Sequence, residues 1–272
     1  MKLALSNIAW EKDEQPDVIA LMEEYGVSGV EIAPTKVWDI PIDASSEQVK
    51  AEKAYWADRG IQVSSLQALL FGHPEFDLFG SDSDRASMLK YLGEIIRVAG
   101  LLGAGPLVFG SPKNRLKRQK SFSAARMIAV PFFRDVAKVA ELHGTTFCLE
   151  PNPPQYGCDF VTNTEEAIEI VEAVDHSHFR LHLDSGIMTL NEEDPLTSIP
   201  KGARWLAHFH VSEPNLAVIG SGGVDHPRFA EALEGIGYED WISVEMRGGW
   251  NDPNTISVSN ALEAVRHAYL QA

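Results

Sequence analysis

Phe147-Cys-Leu-Glu-Pro-Asn-Pro153 is a short apolar run that ends on a carboxylate, Glu150, and is then closed by Pro151 and Pro153. Proline has no N–H to give to a β-ladder, so the strand must stop where the carboxylate appears. Three later stretches repeat the design: Phe179-Arg-Leu-His-Leu-Asp184-Ser-Gly186, Leu206-Ala-His-Phe-His210-Val-Ser-Glu213 and Trp241-Ile-Ser-Val-Glu245-Met-Arg-Gly248. Each delivers one oxygen or nitrogen ligand at or near the C-terminal end of a β-like run, before a turn. Glu150, Asp184, His210 and Glu245 are therefore expected to converge on one point. Three carboxylates with one imidazole suit Mn²⁺ first, with Mg²⁺, Co²⁺ or Zn²⁺ as alternates, more than a thiolate-loving metal.

Working outward, strand-like and helix-like segments alternate along the whole chain. Strands are expected at 3–9, 27–33, 61–67 and 106–110, ahead of the four ligand-bearing ones at 146–150, 179–184, 206–211 and 241–246. Helices are expected at 16–25, 46–59, 83–102, 122–143, 164–174, 227–235 and 256–270, with a weaker one at 195–200. Gly26, Gly60, Gly103 and Gly144 stand where helices would end. No Pro/Gly/Ser-rich linker interrupts the series, so residues 1–272 are expected to form one domain. Eight βα units in a chain of about 250 residues or slightly more point to a (β/α)₈ TIM barrel. A doubly wound open sheet would carry a glycine-rich turn after its first strand; here that turn is Ser6-Asn-Ile-Ala-Trp10. In a barrel the active site lies at the C-terminal rim of the strands, which is where the four ligands would sit.

Composition narrows the function. A net charge of −16 disfavours nucleic acid and anionic membrane surfaces. No apolar run nears the ~18 residues of a membrane span, and Met1-Lys-Leu-Ala-Leu-Ser-Asn7 lacks the core of a secretion signal. A cytoplasmic location is the expectation. The 2 cysteines, Cys148 in a strand and Cys158 in the following loop, do not form a disulfide framework.

The motifs LEPNP, LDSG, HFHVSE and SVEM resemble those of the xylose isomerase-like barrel superfamily, in its sugar phosphate isomerase/epimerase branch. That branch includes ketose 3-epimerases, hydroxypyruvate isomerase and inosose dehydratase, and endonuclease IV is a more distant relative. The resemblance implies that Glu150, Asp184, His210 and Glu245 bind one divalent metal and that Glu150 and Glu245 also move protons. It implies a small carbohydrate substrate and a homo-oligomer. Two positions depart from the epimerases: Ile187 stands where a His three residues after the Asp is usual, and Leu216 where an Arg six residues after the His is common. Both contact substrate in those enzymes, so the metal site is expected to be kept and the substrate pocket altered. Endonuclease IV uses three zinc ions and more histidines, one of which Ile187 removes; with the acidic charge, DNA repair is set aside.

Other residues have readings of both kinds. His182 and His208 lie two residues before ligands and point the same way; they either contact substrate and orient the ligands or are core histidines with partners. Glu31 and Gln67, near the ends of strands two and three, either bind sugar hydroxyls or plug the barrel mouth. Trp10 and Arg247 are further candidates for substrate contact, Trp10 weighed against simple packing. Lys113, Arg115 and Lys117 lie in Lys113-Asn-Arg-Leu-Lys-Arg-Gln-Lys120, five positive charges in eight residues of an acidic chain; they read as an anion clamp or as a solvated helix start. Gly220-Ser-Gly-Gly223 reads as a phosphate cradle or a mobile loop. The expected activity is metal-dependent sugar isomerisation or epimerisation. Dehydration of a polyol ketone or keto-acid on the same site is the first rival, and a carbohydrate-binding barrel without catalysis the second.

Overall fold

The eight apolar runs pair as parallel strands because each is buried on both faces and is separated from the next by a helix long enough to return the chain. In the computed structural model, which describes residues 1–270, they are β1 (Lys2–Ser6), β2 (Gly29–Ile32), β3 (Gln62–Leu66), β4 (Pro106–Phe109), β5 (Thr146–Leu149), β6 (Phe179–Asp184), β7 (Leu206–Ser212) and β8 (Trp241–Glu245). They hydrogen-bond in sequence order and close on themselves through β1 and β8, giving a (β/α)₈ TIM barrel. The helices are α1 (Gln15–Glu24), α2 (Ser46–Ala57), α3 (Asp82–Leu102), α4 (Phe122–Leu142), α5 (Thr164–Val174), α6 (Ser185–Leu190), α7 (Pro195–Gly202), α8 (His226–Gly235) and α9 (Asn254–Tyr269).

Local chemistry sets the helix ends. Ser45 and Gln48 form a reciprocal capping box at α2, and Ser81 with Asp84 does so at α3. Asn163 caps α5 through the Glu166 amide. Gly103 closes α3 in the left-handed conformation (φ 82°), which glycine adopts without steric cost. Between barrel and helices, Phe133 of α4 meets Phe179 of β6 at 5.0 Å and Phe109 of β4 at 5.7 Å.

Two differences from the sequence reading occur at strand ends. β1 stops at Ser6, and Asn7–Ala9 turn into a short 3₁₀ segment whose Asn7 side chain accepts from the Ala33 amide at 2.8 Å. After β6 the chain enters α6 at once, because the Asp184 carboxylate accepts from the Ile187 amide at 2.6 Å and so caps a helix too short to show a periodicity. Register then decides the site: Asp184 lies beside His210 across β6 and β7, and Ser212 beside Glu245 across β7 and β8.

Candidate active site

Glu150 follows the last residue of β5, and Asp184 and Glu245 end β6 and β8; His210 lies two residues before the end of β7. The imidazole Nδ1 of His210 is the focus. It lies 3.1 Å from Glu245 Oε2 and 3.8 Å from both Asp184 Oδ2 and Glu150 Oε1. Glu150, Asp184 and His210 offer ligand atoms within 4.8 Å of one another. The second oxygen of each carboxylate is held by the protein. Glu150 Oε2 accepts from the Asn152 amide at 2.7 Å, and Asp184 Oδ1 from Ser212 Oγ at 2.7 Å and the Ile187 amide. The Gln67 side-chain nitrogen lies 2.8 Å from Glu245 Oε1 and 3.1 Å from Glu31 Oε2, with Ser6 Oγ 2.8 Å from its oxygen. One oxygen per carboxylate is thereby pinned and the other turned toward the common point.

Beneath the ligands sits Glu31, with no exposed surface. Its two oxygens accept from Ser65 Oγ at 2.8 Å, His208 Nε2 at 3.0 Å, His210 Nε2 at 3.0 Å and Ser243 Oγ at 3.0 Å. Burial works to raise its pKa, yet His210 and His208 hold it well below the usual carboxylate range. Glu31 thus engages Nε2 of His210 and leaves Nδ1 facing the carboxylates, a carboxylate–histidine arrangement of the kind that orients metal-binding imidazoles. Burial, then His210 and His208, keep His182 well below an ordinary histidine, and its Nε2 lies 3.2 Å from Glu150 Oε1.

The residues fit a divalent cation. Nδ1 of His210 is buried and faces Glu245 outside hydrogen-bond geometry, so it has no partner of its own. Burial and the facing carboxylates of Glu245 and Glu150 push Asp184 up to about 7. Burial opposes charge on His210, but Glu31 and Glu245 hold it well above the normal imidazole value. A pocket that lifts a carboxylate and an imidazole together has an excess of negative charge and wants a cation at its centre. A cavity of about 430 Å³ opens onto this point, lined by Glu150, Asp184 and Glu245 and, further out, by Tyr156, Leu216 and Arg247 among others.

A family model described as xylose isomerase-like TIM barrel matches residues 19–267. The chain belongs to this family. It is 32% identical over 117 residues to a D-psicose 3-epimerase of Ruminiclostridium cellulolyticum, a match over 43% of this chain and 40% of that enzyme. It thus spans less than half the length of that relative. An L-ribulose 3-epimerase of Mesorhizobium japonicum is 22% identical over 90% of this chain and 80% of its own length. The solved structure of the IolI protein, described as having a binding zinc atom, superposes with a TM-score of 0.78 at 19% identity over the whole of both chains.

Within this family member the other expected residues divide. Arg247 lines the cavity. Glu31 is a correction to the sugar-hydroxyl reading: both its oxygens are engaged inside the barrel. Gln67, His182 and His208 are likewise buried, at 2%, 0% and 0% exposure, and do not line the cavity. Trp10 is 1% exposed and packs in the core, so it does not wall the site. Within the basic segment Arg115 is not free to clamp an anion at this cavity. Arg115 is fully buried and donates from Nη2 to the Glu150 carbonyl at 2.6 Å. Lys117 and Arg118 point their backbone amides at Asp159, and Lys113 borders a separate cavity with Phe71 and His73. The glycine-rich loop is filled from within: Glu213 accepts from the Gly220 and Val224 amides at 2.9 and 3.2 Å. His226 donates to or accepts from Tyr269 and faces Glu213 at 3.2 Å, far in role from a metal ligand.

Sequence reasoning missed Asn152, Ser212 and Gly110. The first two lie inside LEPNP and HFHVSE and could have been found by asking what holds each carboxylate. Gly110 is needed because a Cβ there would stand 2.3 Å from Glu150 Oε2.

Proposed function

We propose that the protein is a divalent-metal-dependent sugar isomerase or epimerase in which Glu150 and Glu245 are the acid/base pair. The observation that carries this reading is that two carboxylates from strand ends β5 and β8 line a single cavity and each turn one oxygen toward His210 Nδ1. Glu150, Asp184, His210 and Glu245 would hold the ion, with Mn²⁺ the first choice for three carboxylates and one imidazole. When bound, the metal draws electron density from a substrate carbonyl and its neighbouring hydroxyl and acidifies the adjacent C–H. One glutamate takes that proton and the other returns one, to the opposite face for epimerisation or to the neighbouring carbon for isomerisation. Burial raises the pKa of both glutamates, which brings each closer to the pH at which a carboxylate both accepts and releases a proton. Asn152 and Gln67 hold the carboxylates in place. The names of the relatives, all ketose epimerases, support the same class.

The test is mass spectrometry after incubation with Mn²⁺ in D₂O against pooled ketoses, aldoses and cyclic polyol ketones. Deuterium entering a sugar without change of composition is expected, and Glu150→Gln is expected to lose it while keeping the fold. Wild-type exchange in that variant would remove Glu150 from the pair, and loss of water from the product would make the reaction a dehydration.

A further inference from the structure

The loop-borne wall of the cavity is built to an unusual pattern. Asn215 and Leu216 both take left-handed backbone conformations, with φ of 62° and 54°, a costly state for residues that carry a Cβ. The conformation is held from both sides. The Asn215 amide donates to Tyr156 Oη at 2.8 Å, and the Leu216 carbonyl accepts from the Arg247 amide at 3.1 Å and from Trp250 Nε1 at 2.9 Å. One strained carbonyl therefore fixes both the backbone and the indole next to Arg247, whose guanidinium stacks 4.6 Å from the Trp250 ring centroid. Among the described residues no carboxylate pairs with this guanidinium within 4.0 Å, and it is the one basic side chain lining the cavity. The rival anion sites do not line the cavity: Arg115 is buried and donates to the Glu150 carbonyl, and Glu213 accepts from two amides of the glycine-rich loop.

We propose that Arg247 binds a carboxylate on the substrate, so that the substrate class is a sugar acid: a ketose bearing one carboxylate at the end remote from the reacting carbon. This rests on the isomerase/epimerase reading of the same site. A single stacked guanidinium offers the planar two-donor fork that matches a carboxylate. A phosphate usually recruits backbone N–H groups as well, and in the nearby loop Glu213 takes those of Gly220 and Val224. The cavity, about 430 Å³, sits at the low end of the ~300–1,000 Å³ range of ligand pockets, which suits a monosaccharide and not a nucleotide-linked one.

The experiment uses Mn²⁺-loaded protein and measures deuterium exchange and product formation on neutral ketohexoses, their 6-carboxylates and their 6-phosphates. Wild type, Arg247→Met and Arg247→Lys are compared; Arg247 is exposed, so truncation leaves the core intact. Wild type is expected to prefer the carboxylates over their neutral parents by about thirtyfold or more in kcat/KM. Arg247→Met is expected to erase that ratio mainly through KM, and Arg247→Lys to recover part of it. A preference for neutral sugars or phosphates, or one that survives Arg247→Met, overturns the proposal. If no compound exchanges, the reaction reading fails by itself. Calorimetric binding of gluconate against glucitol then decides: tighter gluconate binding that Arg247→Met removes supports the role of Arg247, and equal binding overturns it.

Discussion

Glu31→Gln perturbs the carboxylate under the ligands without touching a ligand. In the wild type Oε1 serves Ser65, His208 and His210, while Oε2 serves Ser243, lies 3.0 Å from His210 Nε2 and faces the Gln67 side-chain nitrogen at 3.1 Å. A glutamine keeps one acceptor and turns the other into an N–H. Serine can rotate its hydroxyl to accept, but the N–H facing the new amide nitrogen, that of Gln67 at one oxygen position or of His208 at the other, is left without a partner. An unsatisfied buried donor costs about 1–3 kcal/mol, which lowers the metal-free melting temperature by roughly 2–12 °C at about 2–4 °C per kcal/mol for a domain near this size. The metal effect is separate: loss of the orienting carboxylate weakens metal binding by about 10–100-fold. Differential scanning calorimetry of the metal-stripped protein reads the first quantity and isothermal titration with Mn²⁺ the second. A variant that melts lower as expected but binds Mn²⁺ within twofold of wild type would refute the reasoning, because Glu31 would then support packing alone.

Other perturbations separate neighbouring claims. Gly110→Ala places a Cβ 2.3 Å from Glu150 Oε2 and must move that carboxylate; proton exchange is expected to fall by about a hundredfold, the scale of an ångström-sized misplacement, and unchanged exchange would mean Glu150 can shift freely. Stripping the metal is expected to expose the repulsion around Asp184: a carboxyl raised to about 7 from an unfolded value near 3.9 favours the fold at low pH and loses that contribution as pH rises from about 4 to about 7. The metal-free melting temperature of the wild type, read as a difference from that of Asp184→Asn so that the opposing titrations of Glu31, His182 and His208 cancel, should therefore fall across that window. Saturating Mn²⁺ should stabilise the wild type by about 2.7 kcal/mol at a hundredfold excess over Kd, and a difference flat with pH would show that the carboxylates are not crowded as the geometry requires. Glu150→Gln, tested with the activity, completes the set.

The barrel was legible because strand and helix alternate with glycine and proline marking nearly every boundary, and the eight runs close in sequence order. The convergence of Glu150, Asp184, His210 and Glu245 was legible for a related reason. A side chain that must reach a common point from separate strands has to stand at the strand's C-terminal end, just before a turn. What lay deeper was not legible. Glu31 sits one residue before the end of β2 and reads like a rim residue, and only the closed barrel shows that its neighbours are His208 and His210 from the far side of the ring. Arg115 belongs to a run of charges that reads as solvated; the turn after β4 folds it inward against the Glu150 carbonyl. α6 was invisible because its cap, Asp184, had already been assigned another duty.

Asp184 shows why chemistry and specificity separate in this fold. One of its oxygens caps α6 and accepts from Ser212, while the other faces His210, so the start of a helix, the end of β7 and the metal ligand form one unit. Moving any part disturbs the rest, and the four strand ends are consequently stiff. The wall of Tyr156, Asn215, Leu216 and Arg247 hangs on loops tied to one another chiefly through the Leu216 carbonyl and the Tyr156 hydroxyl. It can be rebuilt without disturbing β5 to β8. Ile187 and Leu216, the two positions at which this chain departs from the ketose epimerases it resembles, both line that cavity. On the proposed reading, a proton-moving centre kept rigid beneath a replaceable wall is the arrangement that lets one barrel present the same chemistry to different sugars.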